Sequence, residues 1–374
     1  ELDTIEQSLK TDIGYAIEKI DIALSSESLL TAPQHSRLYM LLGTKNLYLG
    51  HFLEADKALD KALTYDPLGE ELTNIYLLKT TANIGLSNYK KAFALLEDNL
   101  SRIDSYQDQS IKIMSYIRLM NVYLQLDAYE EMLRIAQLAL SLNQGKDPKS
   151  ECFSMLYHSV AHLKLTHFDQ AEALFTDTQL YCKSHGFTLI EIMSIKGKAN
   201  VLFDKGLYAE AEPFYLEALE RYQKFQFQIE INEIQSYLSS IYFHLGDYQQ
   251  ADMFAQLVNA LPNKPSNMQV KKRVSEILSL IAGKRGQFDK AYQYQVVASA
   301  LGQQLIDEQK IKENAYQMAR FDSVEKNREN TSLIQDHELL MKQKDLFMKE
   351  KSSSIMFSTL LVGLSVGLLV LLIS

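Results

Sequence analysis

With 374 residues, 47% of them hydrophobic, the chain can bury extensive apolar surface. A net charge of −9 excludes the basic stripe on which nucleic-acid binding depends. Two cysteines, in no CxxC spacing, exclude a disulfide framework and a paired-cysteine metal site.

The first residue is Glu1 and not Met, so the expectation is a fragment or a chain from which a leader has been removed. Residues 1 to 30 read as one amphipathic helix with Ile13, Ala16, Ile20 and Ala23 on its buried stripe, the second half of a repeat whose first helix is absent or degenerate. Seven fuller units then begin near Gln34, Glu70, Ser110, Glu151, Thr188, Glu230 and Gln269. Between units stand breakers such as Thr31-Ala32-Pro33, Asp66-Pro67-Leu68-Gly69, Asp147-Pro148 and Leu261-Pro262-Asn263-Lys264-Pro265. Period-two alternation is nowhere sustained, so no strand is expected.

The unit is plainest at 202–219, LFDKGLYAEAEPFYLEAL. There Gly206 closes one helical pattern, Tyr208 opens the next, and Ala211 and Ala218 flank Tyr215. Small residues let two helices approach, and the glycine suits the left-handed turn between them. The small or apolar residue recurs at Ala16, Ala55, Ala92, Met132, Ala171, Ala211, Ala251 and Ala291, in steps of 37 to 40 residues. Its partner keeps step at Ile13, Phe52, Tyr89, Tyr129, Phe168, Tyr208, Tyr248 and Phe288. The turn glycine appears as Gly50, Gly206, Gly246 and Gly286.

This pattern resembles the tetratricopeptide repeat, a helix–turn–helix unit. Leu42, Gly43, Gly50, Phe52, Ala55, Ala62 and Pro67 carry the likeness in one unit, and Gly206, Tyr208, Ala211, Tyr215 and Ala218 in another. The resemblance implies an all-α, TPR-like α-solenoid over residues 1–302, a superhelix of helix hairpins in which contacts run between neighbours only. Its period of about 40 exceeds the family's usual 34 or so, and the family's tryptophan is missing because the chain has no Trp. Within one hairpin Cys152 opens the first helix and Cys182 closes the second, so the two sulfurs come close. Two readings stay open: separate buried thiols, or a disulfide across the open end.

From about Gln303 a continuous charged helix is expected to Lys351. Leu305, Ile311, Ala315, Met318 and Phe321 suit a cap packed over the last repeat. Leu333, Leu340 and Phe347, each followed by a second apolar residue, recur every seven residues and form a short seam for a partner helix. Ile355 to Ile373 is a run of nineteen residues without a charge, about 28 Å as a helix and enough to span a bilayer. Gly363 and Gly367 give it a GxxxG face for close helix contact. Together these features predict a parallel homodimer joined through a lipid bilayer, with parts at 1–302, 303–351 and 355–373. Lys342, Lys344, Lys349 and Lys351 lie on the repeat side of the span, which by the positive-inside rule favours a cytosolic, tail-anchored solenoid.

No G-x-x-x-x-G-K-[ST], H-E-x-x-H or G-x-G-x-x-G occurs, so neither an enzyme nor a cofactor is expected within this chain. His158, His162 and His167 lie around one turn but lack a carboxylate or cysteine at ligand spacing, and no metal is expected. In the resembled family the first helix of each unit lines a concave face that takes extended ligands. On that register Asn121, Lys196, Asn200, Phe203, Ser240, Phe243 and Arg273 line the groove for a peptide, protein or small-molecule ligand. Lys196 and Asn200 also resemble the carboxylate clamp of chaperone-adaptor repeats, although Tyr237 stands where that clamp has asparagine.

The order of parts is similar to the extracytoplasmic half of bacterial membrane sensors. In those, such repeats precede a transmembrane helix and then a GGDEF diguanylate cyclase or a histidine kinase. The residues carrying the likeness are the repeats, the stretch from Ala319-Arg320-Phe321-Asp322 to Lys344, and the span. It implies a membrane-anchored sensory module in a bacterial inner membrane, with a single pass and a periplasmic solenoid. The alternative is a tail-anchored scaffold that gathers soluble protein partners at a membrane.

Overall fold

The structure, a computed structural model, describes the backbone of residues 2–11, 13–25, 28, 30–101, 103 and 109–373. Side chains are described as far as 344, apart from isolated positions and most of 326–338. Every element among the described residues is helical. The helices pair as α1 (Leu2–Thr11) with α2 (Ile13–Ser25), α3 (Ala32–Tyr48) with α4 (Phe52–Leu63), and α5 (Gly69–Gly85) with α6 (Tyr89–Leu100). They continue as α7 (Gln109–Gln125) with α8 (Tyr129–Asn143), α9 (Pro148–Lys164) with α10 (Phe168–Ser184), and α11 (Thr188–Asp204) with α12 (Tyr208–Lys224). Last come α13 (Gln228–Leu245) with α14 (Tyr248–Asn259), and α15 (Met268–Lys284) with α16 (Phe288–Ile373).

The turn chemistry explains the hairpins. Between the paired helices from α3 onward one residue adopts positive φ, and where it is glycine φ runs from +72° at Gly50 to +86° at Gly246. Three units without a glycine hold Ser87, Asp127 and Thr166 in the same left-handed conformation, at φ of 57°, 56° and 60°. The following amide then donates back five residues, as in Asn88 to Asn83, His167 to His162 and Leu207 to Leu202, which closes the helix end. Ala55, Ala92, Ala171, Ala211 and Ala251 are fully buried where the helices meet. Contact is closest at Gly197, where an added Cβ would stand 2.2 Å from the Phe175 ring. Tyr215 and Tyr222 are the largest buried side chains in their unit and fill the space beside Ala218.

Three expectations are corrected. The leading element is two helices, because Ile5 and Leu9 of α1 bury themselves in one cluster with Ala16 and Ile20 of α2 and Leu38 and Leu41 of α3. Contacts also pass between distant units: α1 touches α11, the Tyr48 ring meets Phe227 edge-on at 5.7 Å, and Gly50 abuts Ile229. The inner helices α1, α3, α5, α7, α9 and α11 thus close into a ring. The stretch of α16 around Tyr316, expected to cap the last repeat, packs far from it, since Tyr316 meets Phe93 edge-on at 5.5 Å and joins Ala319 in the cluster built on Phe93, Met120 and Met132. Glu308 accepts a hydrogen bond from Tyr89, whereas Ile311 and Met318, expected in a cap, are exposed.

The chain divides into two compact units, Glu1–Ala319 and Arg320–Ser374. In the second unit Phe321, Val324, Leu339, Leu340 and Met341 are exposed along α16. Among the described residues no helix is long and apolar enough to cross a membrane. The expected span at Ile355–Ile373 lies outside the described side chains, as do the seam and dimer positions Leu333, Phe347, Gly363 and Gly367.

Candidate functional site

Helices α1, α3, α5, α7 and α9 border a partly open cavity of about 300 Å³, at the lower end of the range for small-ligand pockets. Leu9 of α1, Met40, Leu41 and Tyr48 of α3, and Leu77 and Leu78 of α5 supply apolar wall. From α7 come Met114, Ile117 and Arg118, and from α9 Phe153 and Tyr157. The acids on this wall are engaged: Glu6 accepts from Arg37 at 2.7 Å, and Asp147 caps α9 by accepting from the Lys149 and Ser150 amides. Arg118 differs, for no carboxylate pairs with it among the described residues.

Arg118 acts on its surroundings. Burial pushes the Tyr48 and Tyr157 phenols above their ordinary range, and in both the nearby Arg118 charge pulls partly the other way. These tyrosines stand on α3 and α9, so the guanidinium is near both walls of the cavity. Asn121, one turn on from Arg118, donates to the Tyr157 hydroxyl at 3.1 Å and so fixes one wall. Of the predicted groove residues, Asn121 reaches this cavity indirectly, through its bond to Tyr157 on the wall, and does not line it.

The other predicted groove residues gather on α11, α13 and α15, and their polar groups are already used. Lys196 bridges to Glu230 and, at 2.7 Å, to Glu233. Burial works against the charge of Lys196, but the two carboxylates hold its pKa well above the ordinary value. Asn200 accepts from the Tyr215 hydroxyl at 2.5 Å. The clamp pair therefore has no free cation to offer a carboxylate. Arg273 lies 3.7 Å over the Tyr237 ring and donates to the Ser236 hydroxyl at 2.7 Å. Phe203 packs edge-on against Tyr237, and Phe243 packs against Tyr248. Ser240 is only 4% exposed and donates to the Ser236 carbonyl, so it belongs to the core and lines no groove.

Cys152 and Cys182 form a disulfide with their Cα atoms 5.7 Å apart, fully buried beside Phe175. His158 and His162 pack edge-on at 4.9 Å, and burial followed by the neighbouring imidazole lowers the pKa of each. Among the described residues no group of side chains has the geometry to hold a metal ion. Leu340, placed on the dimer seam by its spacing, is exposed.

Sequence reading missed Arg118, Tyr48 and Tyr157. The available signal was the stripe Ser110, Met114, Ile117, Arg118 and Asn121, one face of α7 on which a single cation interrupts apolar residues.

No family model matches the chain, and no curated protein does. Solved structures do match. A Rap protein complexed with competence and sporulation factor superposes with a TM-score of 0.61 at 12% identity, over 82% of this chain and 85% of that one. The Rap conjugation gene regulator of plasmid pLS20, in complex with the Phr* peptide, gives 0.54 at 11% identity, over 83% and 94%. The apo quorum sensor NprR from B. thuringiensis gives 0.51 at 15% identity, over 80% and 86%. These likenesses establish the TPR-like helical repeat fold, and none of the three descriptions names a diguanylate cyclase or a histidine kinase.

Proposed function

We propose that this chain is a receptor module whose inner cavity takes a peptide or a protein segment, and that it is held at a membrane. One observation carries the first part: the inner helices border a cavity with apolar and tyrosine walls and an arginine with which, among the described residues, no carboxylate pairs. Two of the structurally similar proteins are described in complex with a peptide or a signalling factor, which supports a ligand of this kind. Binding there would bear on the closure of the ring, and so on the contacts of Tyr48 with Phe227 and of Tyr316 with Phe93. A ligand acts as a signal only through such a difference between two arrangements.

The anchoring reading rests on the uncharged run Ile355–Ile373. The disulfide Cys152–Cys182 favours an oxidising compartment, and hence a periplasmic solenoid on a bacterial inner membrane. The four lysines at 342–351 favour the opposite orientation, a cytosolic scaffold that recruits partners. Alkaline phosphatase fused ahead of Glu1 separates the two, since it is active only outside the cytosol.

The binding reading is tested by panning a displayed peptide library against the full chain in nanodiscs. Enriched peptides should lose binding to the Met114→Trp variant, whose added ring occupies the cavity. Enrichment that ignores this substitution would put the ligand elsewhere.

A further inference from the structure

We infer that the cavity is built for the carboxylate of an amphipathic ligand, received by Arg118, with the ligand's apolar body against Met40, Leu77, Met114 and Ile117. This inference rests on the proposed ligand cavity and names the chemistry it selects.

In the first compact unit several half-buried or buried cations are matched by carboxylates, Arg37 by Asp3 and Glu6, Lys79 by Asp56 and Asp60, Lys196 by Glu230 and Glu233, Arg221 by Glu191, while Arg273 is held by the Tyr237 ring and the Ser236 hydroxyl and Lys271 by the Leu261 carbonyl and the Asn263 amide oxygen. A partly buried guanidinium without a partner is costly, and a chain of net charge −9 has acids in excess to supply one. At Arg118 the acids on the cavity wall are committed elsewhere, Glu6 to Arg37 and Asp147 to the start of α9. The site is thus kept cationic by its own neighbours. A planar guanidinium holds a carboxylate through two parallel hydrogen bonds, which a lysine cannot reproduce.

The walls define the rest of the ligand. Tyr48 and Tyr157 stand near enough to feel the Arg118 charge, and their hydroxyls can donate to the same carboxylate. Beyond them the lining is aliphatic and thioether. A volume of about 300 Å³ admits one or two side chains, or a small acid, and no folded partner. An apolar residue at the free C-terminus of a peptide and a free arylalkyl acid both present this chemistry.

Four probes test the assignment on the full chain in nanodiscs, by saturation-transfer NMR and calorimetry: 4-phenylbutyrate, its primary amide, N-acetyl-Leu-Phe, and its C-terminal amide. At least one acid should bind, its amide at least tenfold more weakly. Arg118→Gln should lose at least tenfold affinity for the acid, and Arg118→Lys should fall between the two. Binding of the peptide acid alone identifies a chain terminus as the source, and binding of phenylbutyrate alone identifies a free acid. The inference is overturned if neither acid binds at millimolar concentration, if acid and amide bind alike, or if Arg118→Gln, with unaltered circular dichroism and melting, binds as the parent does. Library peptides excluded by Met114→Trp but indifferent to Arg118→Gln would sink this inference and leave the cavity reading standing.

Discussion

The inner faces of the two halves of the solenoid are made of the same kind of helix, yet they solve the problem of buried polarity differently. On α11, α13 and α15, Lys196 is clasped by two glutamates, Tyr215 reaches in from α12 to stack on Tyr237 at 5.1 Å, and Arg273 lies over the Tyr237 ring. On that half these polar groups have partners, and the cavity beside Glu233 and Arg273 is only about 150 Å³. On α3, α5, α7 and α9 a larger void of about 300 Å³ remains, and of the two cations on its wall, Arg118 and Lys149, no carboxylate pairs with Arg118 among the described residues. A groove rich in polar residues can therefore be structural, while a sparsely polar one is receptive. The discriminating property is whether each polar group already has its partner.

This contrast can be broken by substitution. The largest effect is expected for Lys196→Met, which leaves Glu230 and Glu233 facing each other without a cation and should cost about 3 kcal/mol in urea unfolding. The loss should depend on pH. Burial opposes the charge of Glu233, but Lys196 holds its pKa below the ordinary 4.5. The stabilisation is therefore present above about pH 4.5 and disappears as pH falls through the lowered value. Parent and variant should converge on acidification, and a constant difference across that range would remove Glu233 from the account.

Gly197→Ala comes next. Its added methyl meets the Phe175 ring inside a close helix contact, and about 2 kcal/mol should be lost, read as a lower melting temperature. Arg273→Met gives up the stacking on Tyr237 and the bond to Ser236, at about 1 kcal/mol in the same assay. Arg118→Met should cost least, within about 0.5 kcal/mol of the parent or slightly stabilising, because it removes an unpaired charge from a cavity wall. A large loss at Arg118 would mean that it is a structural cation after all, and the two halves would no longer differ.

The repeats were legible because their cause is local. Period, turn residues and buried alanines are properties of single hairpins, and the expected unit starts at Thr188, Glu230 and Gln269 fall within two residues of the observed helix starts. Even the units lacking a turn glycine kept the period, since Ser87, Asp127 and Thr166 take its conformation. Ring closure was not legible. It depends on small angles accumulated over six units, and the repeat pattern singles out neither Tyr48 nor Phe227. The candidate site fared likewise. Lys196 and Asn200 looked like a clamp because one-turn spacing reports which side chains share a face, while the occupancy of that face by Glu230, Glu233 and Tyr215 comes from other helices. Arg118 drew no notice because the absence of a partner is visible only in three dimensions.

All of this depends on the inner helices closing on themselves. Spin labels at His51→Cys and Gln228→Cys flank the junction of Gly50 with Ile229, and the native cysteines are bonded to each other and take no label. Double electron–electron resonance on the full chain should give one narrow distance distribution at the short limit of the method. A broad distribution at long distance would describe an open superhelix with no enclosed cavity, and would contradict the account.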